Sequence, residues 1–265
     1  MLFESFILGM VQGIAEWLPV SSEAMIVLVK TNMFPDSTSF TELISFAIFL
    51  HIGTLLAVVV YYWKTISKLV AQLFHYRSLG TERHQLHFVV IATGVSGIFG
   101  LLLLHIVEQY QSIFEHEEIV NLSVAGFLLV TAILLYISER NTHRYNVPLT
   151  TKRAVCTGLF QGLAAIPGIS RSGATIAGMG ILGIDKERAL ELSFILSIPI
   201  VLLANIVLNL DEFTAFSLYH FVALCSAFVF GSITIDMLLR IVRRVRFSYV
   251  VGSFAVLLIL VAVVL

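Results

Sequence analysis

The chain has 265 residues, 58% of them hydrophobic and 12% charged, with a formal net charge of −1 and a mean hydropathy of +0.96. That composition leaves too little polar surface to clothe a water-soluble domain, so it excludes that class and predicts an all-α integral membrane protein. The net charge by itself says nothing about partners; no nucleic acid is expected among them.

Residues 1–34 read as an interrupted helical hairpin. An apolar helix runs to about Leu18, the turn Pro19-Val20-Ser21-Ser22 follows, and a second half-helix runs from Glu23 to about Val29. Proline removes a backbone donor and ends the first half, while Ser21 or Ser22 can cap the second. An unbroken span needs roughly 20 apolar residues, so each half is expected to dip into the bilayer and return. The amino terminus lacks the basic residues of a cleavable leader, so none is expected. Phe34-Pro35-Asp36-Ser37-Thr38-Ser39 predicts a surface turn. Spans then follow at about 44–63, 86–107 and 119–138, before a polar connection with Glu139, Arg140, His143, Arg144 and Pro148. A second interrupted hairpin covers about 153–183, and three more spans are predicted at about 190–209, 217–239 and 248–265.

The two hairpins are copies of one pattern. Gly9-Met10-Val11-Gln12-Gly13-Ile14-Ala15 and Gly158-Leu159-Phe160-Gln161-Gly162-Leu163-Ala164 both run Gly-x-x-Gln-Gly-aliphatic-Ala, break at Pro19 and Pro167, and reopen on serines. Paired interrupted segments in corresponding halves point to a binding site near the bilayer midplane. The predicted architecture is therefore a single membrane domain of six transmembrane helices plus two re-entrant helical pairs, in an inverted-topology repeat covering about 1–138 and 153–265. Lys64, Lys68, Arg77 and Arg83, then Arg140, Arg144, Lys152 and Arg153, then Arg240, Arg243, Arg244 and Arg246 fall in alternate connections, and those around 108–118 and 211–217 carry neither lysine nor arginine. The positive-inside rule makes the basic connections cytoplasmic and places both termini outside.

Chemistry concentrates at the breaks. Glu16 lies four residues after Gln12, so both project from one helix face. A carboxylate at membrane depth costs roughly 2.5–3.5 kcal/mol on insertion scales, which marks Glu16 as functional unless it is a protonated or paired structural group. Arg171, set in Ser170-Arg171-Ser172-Gly173-Ala174-Thr175 ahead of a Gly-rich half-helix, offers a planar fork of donors suited to phosphate, beside helix amides that also favour an anion. Ser22, Ser170 and Ser172 each read first as helix caps, the commoner role for a serine there, with a nucleophile among them as the alternative. A diphosphate beside Glu16 and Glu23 carries more negative charge than Arg171 and the helix dipoles balance, so a divalent cation, Mg²⁺ or Ca²⁺, bridging carboxylate and phosphate oxygens is expected.

These motifs resemble the undecaprenyl-diphosphate phosphatase family, the membrane enzymes linked to bacitracin resistance. Gln12-Gly13-Ile14-Ala15-Glu16, Trp17-Leu18-Pro19-Val20-Ser21-Ser22, His51-Ile52-Gly53-Thr54-Leu55-Leu56-Ala57 and Pro167-Gly168-Ile169-Ser170-Arg171-Ser172-Gly173-Ala174-Thr175 all look like that family, across essentially the whole chain. The resemblance implies interdigitated inverted repeats and hydrolysis of a C55 polyprenyl diphosphate to its monophosphate and phosphate on the outer side of the cytoplasmic membrane, for recycling of the lipid carrier in peptidoglycan synthesis. It implies acid/base or metal roles for Gln12 and Glu16, a nucleophile or phosphate ligand in Ser22, and phosphate binding by Arg171 with Ser21, Ser170, Ser172, Gly173 and Thr175. Where the family commonly continues Ser-Ser-Thr/Ser-Gly-His, this chain reads Ser21-Ser22-Glu23-Ala24-Met25. The histidine expected to activate the serine is absent, which leaves His51 or Glu23 as the candidate base, against a packed imidazole and a helix-dipole acid as their plain readings.

A transporter or flippase for a phosphorylated isoprenoid is the alternative reading, and a catalytically dead scaffold the third. Cys156 and Cys225 read as packed thiols. His75, His84 and His87 have no metal-ligand spacing, Glu115-His116-Glu117-Glu118 reads as a solvated loop, and Arg240 to Arg246 suits a surface anchor near anionic lipid. The sequence leaves the oligomeric state open, a dimer included.

Overall fold

The computed structural model describes residues 1–35, 40–74, 84–109, 117–140, 147–166, 168–209 and 216–264, and all regular structure among them is helical. The expectations placed on residues 36–39, Arg77, Arg83, the Glu115-His116 loop, His75, His143, Arg144, Pro167 and Asp211 lie outside the described residues.

The first hairpin is α1 (Leu2–Ala15) and α2 (Ser22–Met33). α1 stops three residues short of the expected Leu18. Pro19 disfavours helical geometry at Leu18, and the carbonyls of Leu18 and Val20 are taken by Ser172 and Ser170 of the other hairpin. At the far end, the buried Lys30 pairs with Glu4 and ties α2 back to α1. α3 (Phe40–Tyr61) follows, then α4 (Trp63–Phe74), a helix the sequence reading missed because it took the connection after the first span for its charges alone. α5 (His84–Gln109) and α6 (Glu117–Arg140) complete the first half.

The second half repeats the order. α7 (Thr151–Gly162), capped by Thr150, runs into a 3-10 turn at Leu163–Ala165. Gly168, at φ +97°, turns the chain where a Cβ would sit 2.9 Å from the Cα of Val124. α8 (Arg171–Ile181) ends on Gly183 at φ +83°. There the Ile184 N–H bonds the Met179 carbonyl and the Gly183 N–H that of Gly180, a Schellman closure that uses up the last orphan carbonyls. Asp185 then caps α9 (Lys186–Leu208), and α10 (Leu218–Ile241) and α11 (Phe247–Val264) follow.

Five of these helices, α3, α5, α6, α9 and α10, are long and apolar enough to cross a membrane, and Phe247–Leu260 of α11 is a shorter apolar stretch. Their outward faces carry side chains such as Ile98, Leu102, Ile206 and Ile233, each more than half exposed, as a lipid-facing surface requires. Packing crosses between the halves: α1 lies chiefly on α10, α7 on α5, and α6 on α11. Glycines make the first two contacts possible. A Cβ on Gly13 would lie 2.7 Å from the Ala227 carbonyl oxygen, and one on Gly158 2.6 Å from that of Ala92. With hydrocarbon on the outside, close backbone approach and van der Waals contact supply the attraction between helices.

Candidate active site

The two breaks meet. Ser172 Oγ donates to the Leu18 carbonyl at 2.7 Å and Ser170 Oγ to that of Val20 at 3.2 Å, so serines of the second hairpin satisfy backbone groups of the first. Gly173 permits this approach: a Cβ there would lie 3.2 Å from both the Cβ and the carbonyl oxygen of Pro19. Ser21 and Ser170 also cap α2 and α8, accepting from Ala24 N at 3.4 Å and Gly173 N at 3.2 Å. Thr175 Oγ1 donates to the Arg171 carbonyl at 2.6 Å. Of the residues the resemblance assigns to phosphate binding, Ser170 and Ser172 have hydroxyls engaged in building the junction, Ser21 and Thr175 bond within their own helices, and Gly173 serves the junction by lacking a side chain.

Beside the junction lies a cluster centred on Glu16. Its Oε2 accepts from Gln12 Nε2 at 3.0 Å and Ser22 Oγ at 2.8 Å, and His51 Nε2 stands 3.0 Å away. Its Oε1 is paired with Arg171 Nη2. Glu16 is only 5% exposed, so a carboxylate deep in the fold gathers four side chains from α1, α2, α3 and α8. The other guanidinium nitrogen, Nη1, donates to the Ser193 carbonyl of α9 at 3.3 Å, and the fork lies over the Trp17 ring with Cζ 5.9 Å from its centroid. His51 Nδ1 lies 2.7 Å from the Ala47 carbonyl, which can only accept. Nδ1 therefore carries a proton, and the Nε2 lone pair or N–H is what Glu16 meets.

Glu23, His51 and Arg171 face a cavity of about 230 Å³ whose walls continue with Ser96, Gln161 and Gly162 and end in apolar side chains. At about 30 Å³ per water, this is the space of roughly eight waters, enough for a polar headgroup and the first carbons of a tail. The remaining lining comes from Ile44 and Ile48 early in α3, Leu101 and Leu104 late in α5, and residues late in α9 such as Leu203 and Val207. All three segments belong to one end of the bundle. Sequence reasoning named Glu16, Arg171, Ser22, Gln12, Glu23 and His51, and the structure brings them to this one place. It passed over Trp17, Ser96 and Gln161, whose signal was available only in part: Gln161 stands in the repeat where Gln12 does.

The expected metal ligands fit unevenly. Glu16 Oε2 already faces three groups while Oε1 meets Arg171 alone and keeps a second lone pair, and Gln12 Oε1 is a buried acceptor with no protein donor among the described residues. Glu23 is the carboxylate that lines the cavity itself.

A family model described as bacitracin resistance protein BacA matches residues 5–264. The chain belongs to the BacA family. Among BacA relatives, a protein of Methanococcoides burtonii named undecaprenyl-diphosphatase is 39% identical over 94% of this chain and 93% of its own length. One of Haloarcula marismortui with the same name is 36% identical over 92% and 90%. A third, from Methanosphaera stadtmanae, is 34% identical over 100% and 99%. With five membrane-length apolar helices, this BacA family member is a multi-pass membrane protein.

Proposed function

We propose that the chain hydrolyses undecaprenyl diphosphate, or a closely related polyprenyl diphosphate, to the lipid monophosphate and inorganic phosphate. The observation that carries this reading is the meeting of Arg171 and Glu16, from different hairpins, in one cluster with Ser22 and His51, of which Arg171 and His51 face the cavity. A guanidinium held at membrane depth by a carboxylate is a stored anion site: the terminal phosphate takes over the fork, and Glu16 is released to act on protons. Glu16 Oε2 then receives the proton of Ser22, or of a water in its place, as the oxygen attacks the terminal phosphorus. The anhydride P–O bond breaks, and the lipid monophosphate departs with the bridging oxygen. Attack by water gives inorganic phosphate at once, whereas attack by Ser22 leaves a phosphoserine whose P–O bond a water then cleaves to release phosphate and restore the hydroxyl. His51, anchored on the Ala47 carbonyl, shares that proton with Glu16 and supplies the imidazole that Met25 does not. The N-termini of α2 and α8 open at the junction and favour the developing charge.

A divalent cation, Mg²⁺ or Ca²⁺, would enter with the diphosphate; Glu16 and Gln12 are its expected ligands, and Glu23 is the carboxylate on the cavity wall that would join them. Its chemistry there is neutralisation of phosphate charge.

The mirrored packing of α1 on α10 and α7 on α5 supports six spans and two re-entrant pairs in an inverted repeat, about 1–138 and 153–265. The cavity walls fall in the ends of α3, α5 and α9 nearest the connections without lysine or arginine, which supports an outward-facing site in the cytoplasmic membrane with both termini outside. Phosphate release from purified undecaprenyl diphosphate by the reconstituted chain tests the reading. Movement of the lipid between leaflets without phosphate release would overturn it in favour of transport.

A further inference from the structure

The helix after the first span is not used by the catalytic reading. α4 begins one residue after α3 ends, and its 12 residues at a 1.5 Å rise give about 18 Å, far short of the roughly 30 Å of bilayer hydrocarbon. On a helical wheel Leu69, Leu73, Ile66, Val70, Trp63 and Phe74 form one continuous arc, and Thr65, Lys64 and Lys68 lie on the other side. The protein covers that arc only in part. Ile66 and Leu69 are half-buried, whereas Trp63, Val70, Leu73 and Phe74 are 62, 46, 55 and 83% exposed.

We propose that α4 is an interfacial helix that seats Trp63, Val70, Leu73 and Phe74 in the leaflet where α3 ends and presents Lys64 and Lys68 to anionic lipid headgroups. Two features commit this surface to lipid. It continues directly from a membrane span, with a tryptophan at the joint where the hydrocarbon gives way to headgroups. Its only charges are positive, spaced on the face away from the apolar arc, as in helices that lie in an anionic interface. The lysines place that leaflet on the cytoplasmic side, away from the cavity.

The test uses the full chain with Cys156→Ser and Cys225→Ser, and single cysteines in turn at Lys64, Lys68, Val70 and Phe74. Each cysteine is spin-labelled, and each chain is checked for helical circular dichroism and monodispersity. In vesicles of phosphatidylcholine with phosphatidylglycerol, labels at Val70 and Phe74 are expected to collide with oxygen and be shielded from an aqueous nickel chelate, and labels at Lys64 and Lys68 to do the reverse. With Lys64→Gln and Lys68→Gln, the nickel accessibility of the Val70 label should rise at least twofold in those vesicles and stay unchanged in pure phosphatidylcholine. Equal nickel accessibility at all four positions, or spin coupling between copies at Val70 that reveals a second protein as the occupant, would overturn the proposal. These readouts are independent of whether the chain releases phosphate.

Discussion

Replacing Glu16 by glutamine probes the centre of the cluster with almost no change of shape. The carboxylate accepts from Gln12, Ser22 and Arg171 and faces His51. Whichever way the amide turns, its nitrogen meets a donor: Arg171 on one side, or Ser22 and Gln12 on the other. Removing one partner of a buried ion pair costs about 3–5 kcal/mol, because the remaining charge is left uncompensated. Arg171 borders a cavity that can hold water, so the lower end applies. That cost falls on stability; the activity falls because a positioned proton acceptor is lost, which contributes about 10²–10⁴-fold. The assay is inorganic phosphate release from undecaprenyl diphosphate by chain reconstituted in nanodiscs, for Glu16→Gln, Arg171→Gln and the double variant, with thermal unfolding followed in parallel. Each single change should lower kcat/KM by about 100-fold or more. The double should fall no more than about tenfold below the weaker single, since a pair removed together leaves no orphan charge. More than half of wild-type activity in Glu16→Gln, or losses that multiply in the double, would refute the shared pocket.

Further expectations concern the surrounding parts. His51→Gln should lower kcat by about 100-fold with little change in KM, the scale of a lost proton-transfer partner, measured in the same assay. Gly13→Leu and Gly158→Leu should each cost about 1–3 kcal/mol by overpacking, seen as a lower midpoint of thermal unfolding, whereas Gly94→Ala, with nothing within 4 Å of its added Cβ, should unfold like the parent. Phosphate release should cease in excess chelator and return with Mg²⁺ or Ca²⁺, and Glu23→Gln should raise the metal concentration needed for half-maximal rate; an unchanged requirement would remove Glu23 as a ligand.

The hairpins and most of the spans were legible because apolar length, proline and basic connections are local signals. So were Glu16 and Arg171, as charges in apolar surroundings. Three things were not. The bond from the Ser172 hydroxyl to the Leu18 carbonyl of the other hairpin is fixed only by tertiary contact. The position of His51 at Glu16 depends on how α3 packs beside the first hairpin, for which no spacing gives a hint. α4 was hidden because its apolar arc is interleaved with lysines, which draw attention to charge before period.

The crossed packing of α1 on α10 and α7 on α5 also bears on how the molecule is made. A ribosome delivers α1 and its carboxylate first, yet the helix that walls it arrives almost last, and its guanidinium partner arrives only with the second hairpin. During synthesis the leading hairpin therefore stands for a time without the guanidinium, its acid held by Gln12 and Ser22 of its own two helices. Maturation is then a late clasping of two waiting halves rather than a progressive threading from front to back.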